Sequence, residues 1–153
     1  MERLSENIED GKDFLKSLGY EIILKFNGTC FVYKIRKGDC FYIAKMPNFF
    51  CTSIEENSRN QVITEAKVLQ ELNGIEGIPL FIDFFKDPLI LIKEYIPGIK
   101  KDLFSIEERK RLMKLKNELF ERGFIVIDSY ERNVIVSREI PYLIDLGEVI
   151  FVN

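Results

Sequence analysis

The chain has 153 residues, of which 46% are hydrophobic, and its formal net charge is -3. This length predicts one domain with a sizeable core, and no apolar run is long enough to span a membrane. The sequence contains no histidine, which excludes histidine-based triads, histidine general bases and most zinc sites. Three cysteines without a metal-type spacing and a charged start without a signal peptide predict a cytoplasmic protein with reduced thiols.

The first half of the chain predicts a sheet with two helices. Apolar residues at helical spacing predict helices over residues 5–18 and 60–72. The polar stretch between them, residues 47–59, is predicted to be an irregular loop. Apolar runs bounded by turn residues predict strands over residues 20–26, 30–37, 40–46, 78–85 and 89–95.

The second half predicts one helix followed by short strands. Ser105 and Glu108 have the spacing of a capping box, which predicts a helix that continues to Arg122. Its apolar residues are expected to face inward: Leu112, Leu115, Leu119 and Phe120. A sheet-forming first half followed by a helix and hairpins predicts the α+β class.

Basic residues cluster in and just before this last helix. They are Lys100, Lys101, Arg109, Lys110, Arg111, Lys114 and Lys116. Such a run is typical of the solvated outer face of an amphipathic helix. A binding site for RNA or for an acidic partner is the alternative interpretation, although the net negative charge of the chain gives it no global support.

Glu65 is the most informative position of the second predicted helix. At 100° per residue it falls in the middle of an apolar face that includes Val62 and Leu69. A carboxylate on that face must find a partner, because its burial without one is strongly unfavourable. Lys45 ends an otherwise apolar strand and is the expected partner. A Glu65 side chain that bends outward past the helix edge is the alternative.

Two short apolar runs near the end of the sequence each meet acidic or amide residues. Asp128 and Asn133 belong to residues 124–136, and Asp145 belongs to residues 142–147. An Asp, an Asn five residues later and an Asp-x-Gly after the next hairpin form the pattern of a kinase catalytic loop and magnesium loop. Carboxylate and amide oxygens suit Mg²⁺, so Asn133 and Asp145 are candidate metal ligands, and Asp128 is the candidate base for an attacking hydroxyl.

With these residues in this order, the chain resembles a minimal protein-kinase-like domain. The resemblance implies an α+β, two-lobed fold in which residues 1–95 form an N-lobe with a five-stranded antiparallel sheet plus one helix. It implies a severely reduced C-lobe over residues 96–153, without an activation segment or a helical substrate-docking lobe. The stretch 128–133 is most similar to RIO kinases and to the small kinase of the tRNA threonylcarbamoyladenosine complex.

The resemblance also implies roles for individual residues. Lys45 would hold the nucleotide phosphates, Asp128 would act as the base, and Arg132 would supply a positive charge near the γ-phosphate. Asn133 and Asp145 would be the magnesium ligands. The expected nucleotide-binding residues are Gly28, Val32, Ile43, Lys45, Glu65, Glu94, Ile96, Asn133 and Asp145. For Gly28, a hairpin turn together with Asn27 explains the sequence equally well.

Three functions are open at this point. The first is an ATP- and Mg²⁺-dependent kinase that phosphorylates serine or threonine of a protein, including the chain itself. The second is an ATP-binding switch, an ATPase or a pseudokinase subunit of a complex. The third is a small-molecule kinase. Because the resemblance implies no docking lobe, a protein partner or a second copy of the chain is expected to complete the substrate site.

Overall fold

The computed structural model describes residues 2–26, 28–48, 52–126 and 132–151. Its helices are α1 (Glu2–Ser17), α2 (Thr52–Glu71) and α3 (Ile106–Glu121). Its strands are β1 (Glu21–Phe26), β2 (Phe31–Lys37), β3 (Cys40–Met46), β4 (Phe81–Lys86), β5 (Leu89–Glu94), β6 (Phe124–Val126), β7 (Val134–Ser137), β8 (Ile140–Leu143) and β9 (Val149–Phe151). The predicted α+β class is confirmed.

The first five strands form an antiparallel sheet in the order β1-β2-β3-β5-β4. β2 and β3 form a hairpin whose turn places Gly38 at φ 61°, a backbone conformation that favours glycine. β3 then pairs with β5 and not with β4, so that Lys45 lies opposite Leu91. The remaining strands form two antiparallel pairs, β6 with β9 and β7 with β8.

β5 is buried along its length because a core lies on each face of the sheet. Ile90 and Ile92 pack in the core that contains Leu15 of α1. The alternate residues Leu89 and Leu91 pack in the core that contains residues of α2. This alternation follows from the twofold side-chain period of a strand. It explains why β5 reads as a continuous apolar run.

The second of these cores joins the sheet to the rest of the molecule. Leu69 of α2, Leu115 of α3, Leu143 of β8 and Val149 of β9 all belong to it. These residues are nearly or fully buried. Both halves of the described chain therefore pack around one apolar interior.

α2 begins at Thr52, so the prediction of an irregular loop is wrong for residues 52–59. The reason is that this part of the helix is stabilised by buried polar side chains, which a hydrophobic pattern does not reveal. The Ser58 hydroxyl accepts a hydrogen bond from the amide of Asn48 at 2.8 Å and donates to the Glu55 carbonyl at 3.0 Å. Gln61, one turn further on, is also buried.

α3 begins at the predicted capping box. The amide of Glu108 donates to the Ser105 hydroxyl at 3.1 Å, and the amide of Ser105 donates to the Glu108 carboxylate at 2.8 Å. Phe120, however, is 63% exposed, so its predicted inward orientation is wrong. It lies on the outer face with Ile106 and Met113, because these three residues repeat every seven positions.

The segment between β5 and α3 lies against β7. The amide of Ile99 donates to the Val136 carbonyl at 3.1 Å, and the amide of Val136 donates back to Ile99 at 2.9 Å. Gly98 permits this approach, because a Cβ there would lie 2.5 Å from Cγ2 of Ile135. The end of β5 and the β7–β8 hairpin are thereby placed side by side.

No helix in the described part of the chain is long and apolar enough to span a membrane.

Candidate functional site

A cleft of about 430 Å³ opens between the five-stranded sheet and the β7–β8 hairpin. Its volume lies within the range of small-molecule sites, and its wall combines apolar side chains with a few charged ones. The predicted nucleotide-contact residues that line it are Gly28, Val32, Ile43, Lys45, Glu94, Ile96, Asn133 and Asp145. The remaining one, Glu65, is buried behind Lys45.

Lys45 and Glu65 meet as the sequence predicts. The ammonium of Lys45, on β3, donates to Oε2 of Glu65, on α2, at 2.6 Å. The exposed fractions of the two side chains are 4% and 1%, so water screens the pair very little. Burial opposes the charge on Lys45, but Glu65 and Asp145 outweigh it and hold the pKa of Lys45 well above its ordinary value. Lys45 is therefore a fixed cation in the cleft wall.

Asp145 reaches the same lysine from the other side of the cleft. Its Oδ1 accepts from the Lys45 ammonium at 3.2 Å and from the amide of Gly147 at 3.0 Å. Burial acts to raise the pKa of Asp145. The charges of Lys45 and Lys93 oppose burial and hold this pKa below its ordinary value. Asp145 is therefore a carboxylate at neutral pH.

The three residues Asp145, Leu146 and Gly147 each have a distinct environment. Leu146 is buried in the core, which anchors the loop below the cleft. A Cβ on Gly147 would lie 3.1 Å from Cβ of Gln61, so glycine allows the loop to approach α2 closely. The amide of Ile144 donates to the Asn133 carbonyl at 2.8 Å, which places the two candidate metal ligands, Asn133 and Asp145, on neighbouring chain segments.

A small polar recess of about 60 Å³ adjoins the cleft. Its lining consists of Thr29, Gln61, Asn133, Asp145 and Glu148. The side-chain amide of Gln61 donates to the Glu148 carboxylate at 3.1 Å, which closes one side of the recess. Within residues 2–26, 28–48, 52–126 and 132–151, no three histidine, cysteine or acidic side chains converge on a metal-sized point. The donors present are carboxylate, amide and hydroxyl oxygens, and this oxygen chemistry fits Mg²⁺.

One described residue of the predicted set lies away from the cleft, and two predicted residues lie outside the described part of the chain. Asp128, the predicted base, and Asn27, the predicted turn residue, lie outside the described residues. Arg132 is exposed and does not line the cleft. Gly28 lines it.

Lys93 is a residue of the cleft wall that the sequence analysis missed. From β5, its ammonium donates to Oε1 of Glu65 and to the carbonyl of Ile144, the second bond at 2.6 Å. The signal was present, because Lys93 ends the apolar run of β5 just as Lys45 ends that of β3. The prediction of Lys45 as the partner of Glu65 is therefore incomplete, because two lysines with this pattern bind the carboxylate.

The segment that follows Lys93 leaves β5 at the cleft. The Glu94 carboxylate accepts a hydrogen bond from the backbone amide of Leu80 at 3.0 Å. Tyr95 and Ile96 line the cleft. Among the described residues, no backbone hydrogen bond to either of them is found, so their amides and carbonyls are placed where a ligand could bind them.

Comparisons with known proteins agree with this architecture. No protein-family model and no curated protein matches the sequence. Among solved structures, the chain is similar to WbdD in complex with the kinase inhibitor LY294002, with 20% identity and a TM-score of 0.66, and to a second structure of WbdD, with 19% identity and a TM-score of 0.67. Each match covers 86% of this chain but only 33% or 34% of the WbdD chain, so this chain spans about a third of its length. At this identity the similarity shows a shared fold.

Proposed function

We propose that the chain is a kinase-like phosphotransferase that uses ATP and Mg²⁺. The observation that carries the proposal is the position of Lys45, a buried cation between Glu65 and Asp145 in the wall of a nucleotide-sized cleft. Fixed cations that face a phosphate are a main source of catalysis in phosphoryl transfer. The similarity to a fold that has been crystallised with a kinase inhibitor supports the same class of reaction.

The apolar part of the cleft would hold the purine. Val32, Ile43 and Ile96 line it, and apolar walls of this kind favour a flat aromatic ring. The backbone at Tyr95 and Ile96 would supply the hydrogen bonds that orient the base. The phosphates would then extend toward Lys45 and past Gly28.

Asn133 and Asp145 would hold magnesium at the polar end of the cleft. Lys45 and Gly147 both bond to Oδ1 of Asp145, and among the described residues Oδ2 accepts no hydrogen bond. When bound, the ion would neutralise charge on the phosphates. Asn133 and Asp145 fix where that charge is placed, and Glu65 keeps Lys45 directed at the same region.

Asp128 is the proposed base. Asp128 lies five residues before Asn133 in the sequence, and Asn133 lines the cleft, so we propose that Asp128 acts on a hydroxyl beside the γ-phosphate. In the proposed step the hydroxyl oxygen forms a bond to the γ-phosphorus, the bond from that phosphorus to ADP breaks, and Asp128 takes the hydroxyl proton. Arg132 is proposed to supply positive charge near the γ-phosphate.

The proposed substrate is a serine or threonine of a protein, including the chain itself. We also propose that residues 1–95 and 96–153 form the two lobes and that the chain is related to RIO-type kinases. A nucleotide-binding subunit of a larger complex is the second candidate. It is favoured by the exposed apolar residues on the outer face of α3, Ile106, Met113 and Phe120.

The test is transfer of labelled phosphate from ATP in the presence of Mg²⁺. Label should enter the chain or a generic protein substrate, and Asp128→Asn should abolish this transfer while ATP affinity, measured by calorimetry, is kept. Asp102→Asn, the same change at an exposed position outside the cleft wall, is the control. Equal transfer by Asp128→Asn and the parent protein would contradict the catalytic proposal. Tight ATP binding without any transfer would favour the subunit alternative.

A further inference from the structure

The Glu65 carboxylate binds two buried lysines, one through each oxygen. Lys45 approaches Oε2 from β3 and Lys93 approaches Oε1 from β5. The relative exposures of Lys45, Lys93 and Glu65 are 4%, 5% and 1%. A lysine and a glutamate suffice for an ion pair, so the second buried lysine needs its own explanation.

The charges around Glu65 balance only when Lys93 is included. Lys45 and Lys93 are positive, and Glu65 and Asp145 are negative. The neighbouring Cys30 adds no charge, because burial raises the pKa of its thiol to about 11. Without Lys93, Lys45 alone would compensate Glu65, whose side chain is 1% exposed, and Asp145, whose side chain is 45% exposed, and both would hold it away from a new anionic partner.

Lys93 also binds the backbone that leads to Asp145. Its ammonium donates to the Ile144 carbonyl at 2.6 Å, and an ammonium has three donors, enough for both bonds. The amide of the same residue, Ile144, donates to Asn133 at 2.8 Å. One side chain thus connects β5, α2 and the segment before Asp145, which is itself hydrogen-bonded to Asn133.

We propose that Lys93 is a positioning residue of the cleft, which keeps Glu65 paired so that the charge of Lys45 is left for the nucleotide phosphates, and which holds the backbone before Asp145. This inference rests on the proposed function. When Lys45 turns toward phosphates, Glu65 is not left as an unpaired buried charge, because Lys93 stays bound to it. Lys93 acts through Glu65 and Ile144.

The first test compares Lys93→Met with Lys101→Met. Lys101 also pairs with a buried glutamate, Glu108, at 2.7 Å, but it lies outside the cleft wall. Lys93→Met should weaken ATP·Mg²⁺ binding in calorimetry by roughly tenfold or more, as is usual for residues that orient a ligating side chain. Its affinity for adenosine, which has no phosphate, should stay within about twofold. Lys101→Met should leave both affinities unchanged.

A purely structural role for Lys93 predicts a different result. It would lower the affinities for ATP and adenosine together, and that outcome would overturn the proposal. If Lys93→Met does not fold, Lys93→Gln takes its place, because glutamine keeps hydrogen bonding without the charge. The same loss of ATP selectivity over adenosine is expected for Lys93→Gln.

A second measurement needs no nucleotide. The urea midpoints of Lys93→Met, Glu65→Gln and the double variant form a double-mutant cycle. Lys93→Met should lower the midpoint much less in the Glu65→Gln background than in the parent protein, whereas additive effects would overturn the pairing role. A parent protein that binds no ATP would overturn the proposed function and the phosphate part of this inference. The cycle would still decide whether Lys93 acts through Glu65.

Discussion

Lys45 has two carboxylate partners, Glu65 at 2.6 Å and Asp145 at 3.2 Å. Lys45→Met should weaken ATP·Mg²⁺ binding by at least about tenfold, because the phosphates lose their fixed cation. It should also lower the urea midpoint, since the buried carboxylate of Glu65 and the partly exposed carboxylate of Asp145 both lose a partner. Calorimetry and urea unfolding measure the two effects.

The control for this change is Lys86→Met, at an exposed position on the end of β4. It should leave both ATP affinity and the urea midpoint close to those of the parent protein. Equal ATP affinity for Lys45→Met and the parent would show that Lys45 does not contact the phosphates.

At the level of single residues, the sequence predicts much of the cleft. Glu65 is identifiable because a carboxylate in the middle of an apolar helix face has few explanations, and Lys45 because it ends an apolar strand. Lys93 has the same pattern as Lys45, but only the sheet order shows that β5 is the neighbour of β3. The second partner of Glu65 therefore depends on a long-range pairing that no local pattern contains.

Among the elements, α3 offers a test of pH dependence. The hydrogen bond from Lys101, followed by those from Ser105, holds the pKa of Glu108 below its ordinary value of 4.5. The folded state therefore binds the Glu108 proton less readily than the unfolded chain. The ionised carboxylate stabilises the fold above pH 4.5, and this contribution is lost as the pH falls through the lower folded-state pKa.

Glu108→Gln should remove this contribution. At pH 7 the variant should be less stable than the parent by about 0.5–1 kcal/mol, because glutamine can still accept from the Ser105 amide but loses the ion pair with Lys101. The difference between the two proteins should shrink as the pH is lowered from 5 toward 3. Urea unfolding at a series of pH values measures it. A difference that stays constant over this interval would contradict the assignment.

The elements also differ in how far the sequence determines them. The strands of the sheet lie within a few residues of their predicted positions, because each is an apolar run between turn residues. The first turns of α2 are polar, and they are helical because Ser58 and Gln61 are buried against other parts of the chain. Tertiary contacts of this kind override local patterns.

For the molecule as a whole, the outer face of α3 is the expected contact surface. Ile106, Met113 and Phe120 are 73%, 67% and 63% exposed. Arg109 and Lys110 flank them on the helix surface, which favours an acidic partner. Replacing the three apolar residues by serine should reduce association with a second copy or a partner, because the apolar contact is lost, while ATP affinity is kept.

Sedimentation velocity and affinity capture from a source lysate measure this association. The control carries serine at three other exposed apolar positions, Leu24, Ile63 and Ile150. The control should associate as the parent does. A parent protein that stays monomeric and recovers no partner would show that this face is solvated.

The core shared by the two halves restricts how the cleft can work. Leu69 on one side and Leu143 on the other are both completely buried in it. The two walls cannot swing apart without exposing this interior to water, which is strongly unfavourable. We therefore expect the cleft to keep its shape when a ligand binds, with no closing movement of its two walls. A ligand would enter and leave through its open side, and exchange would be limited by diffusion and desolvation rather than by a hinge.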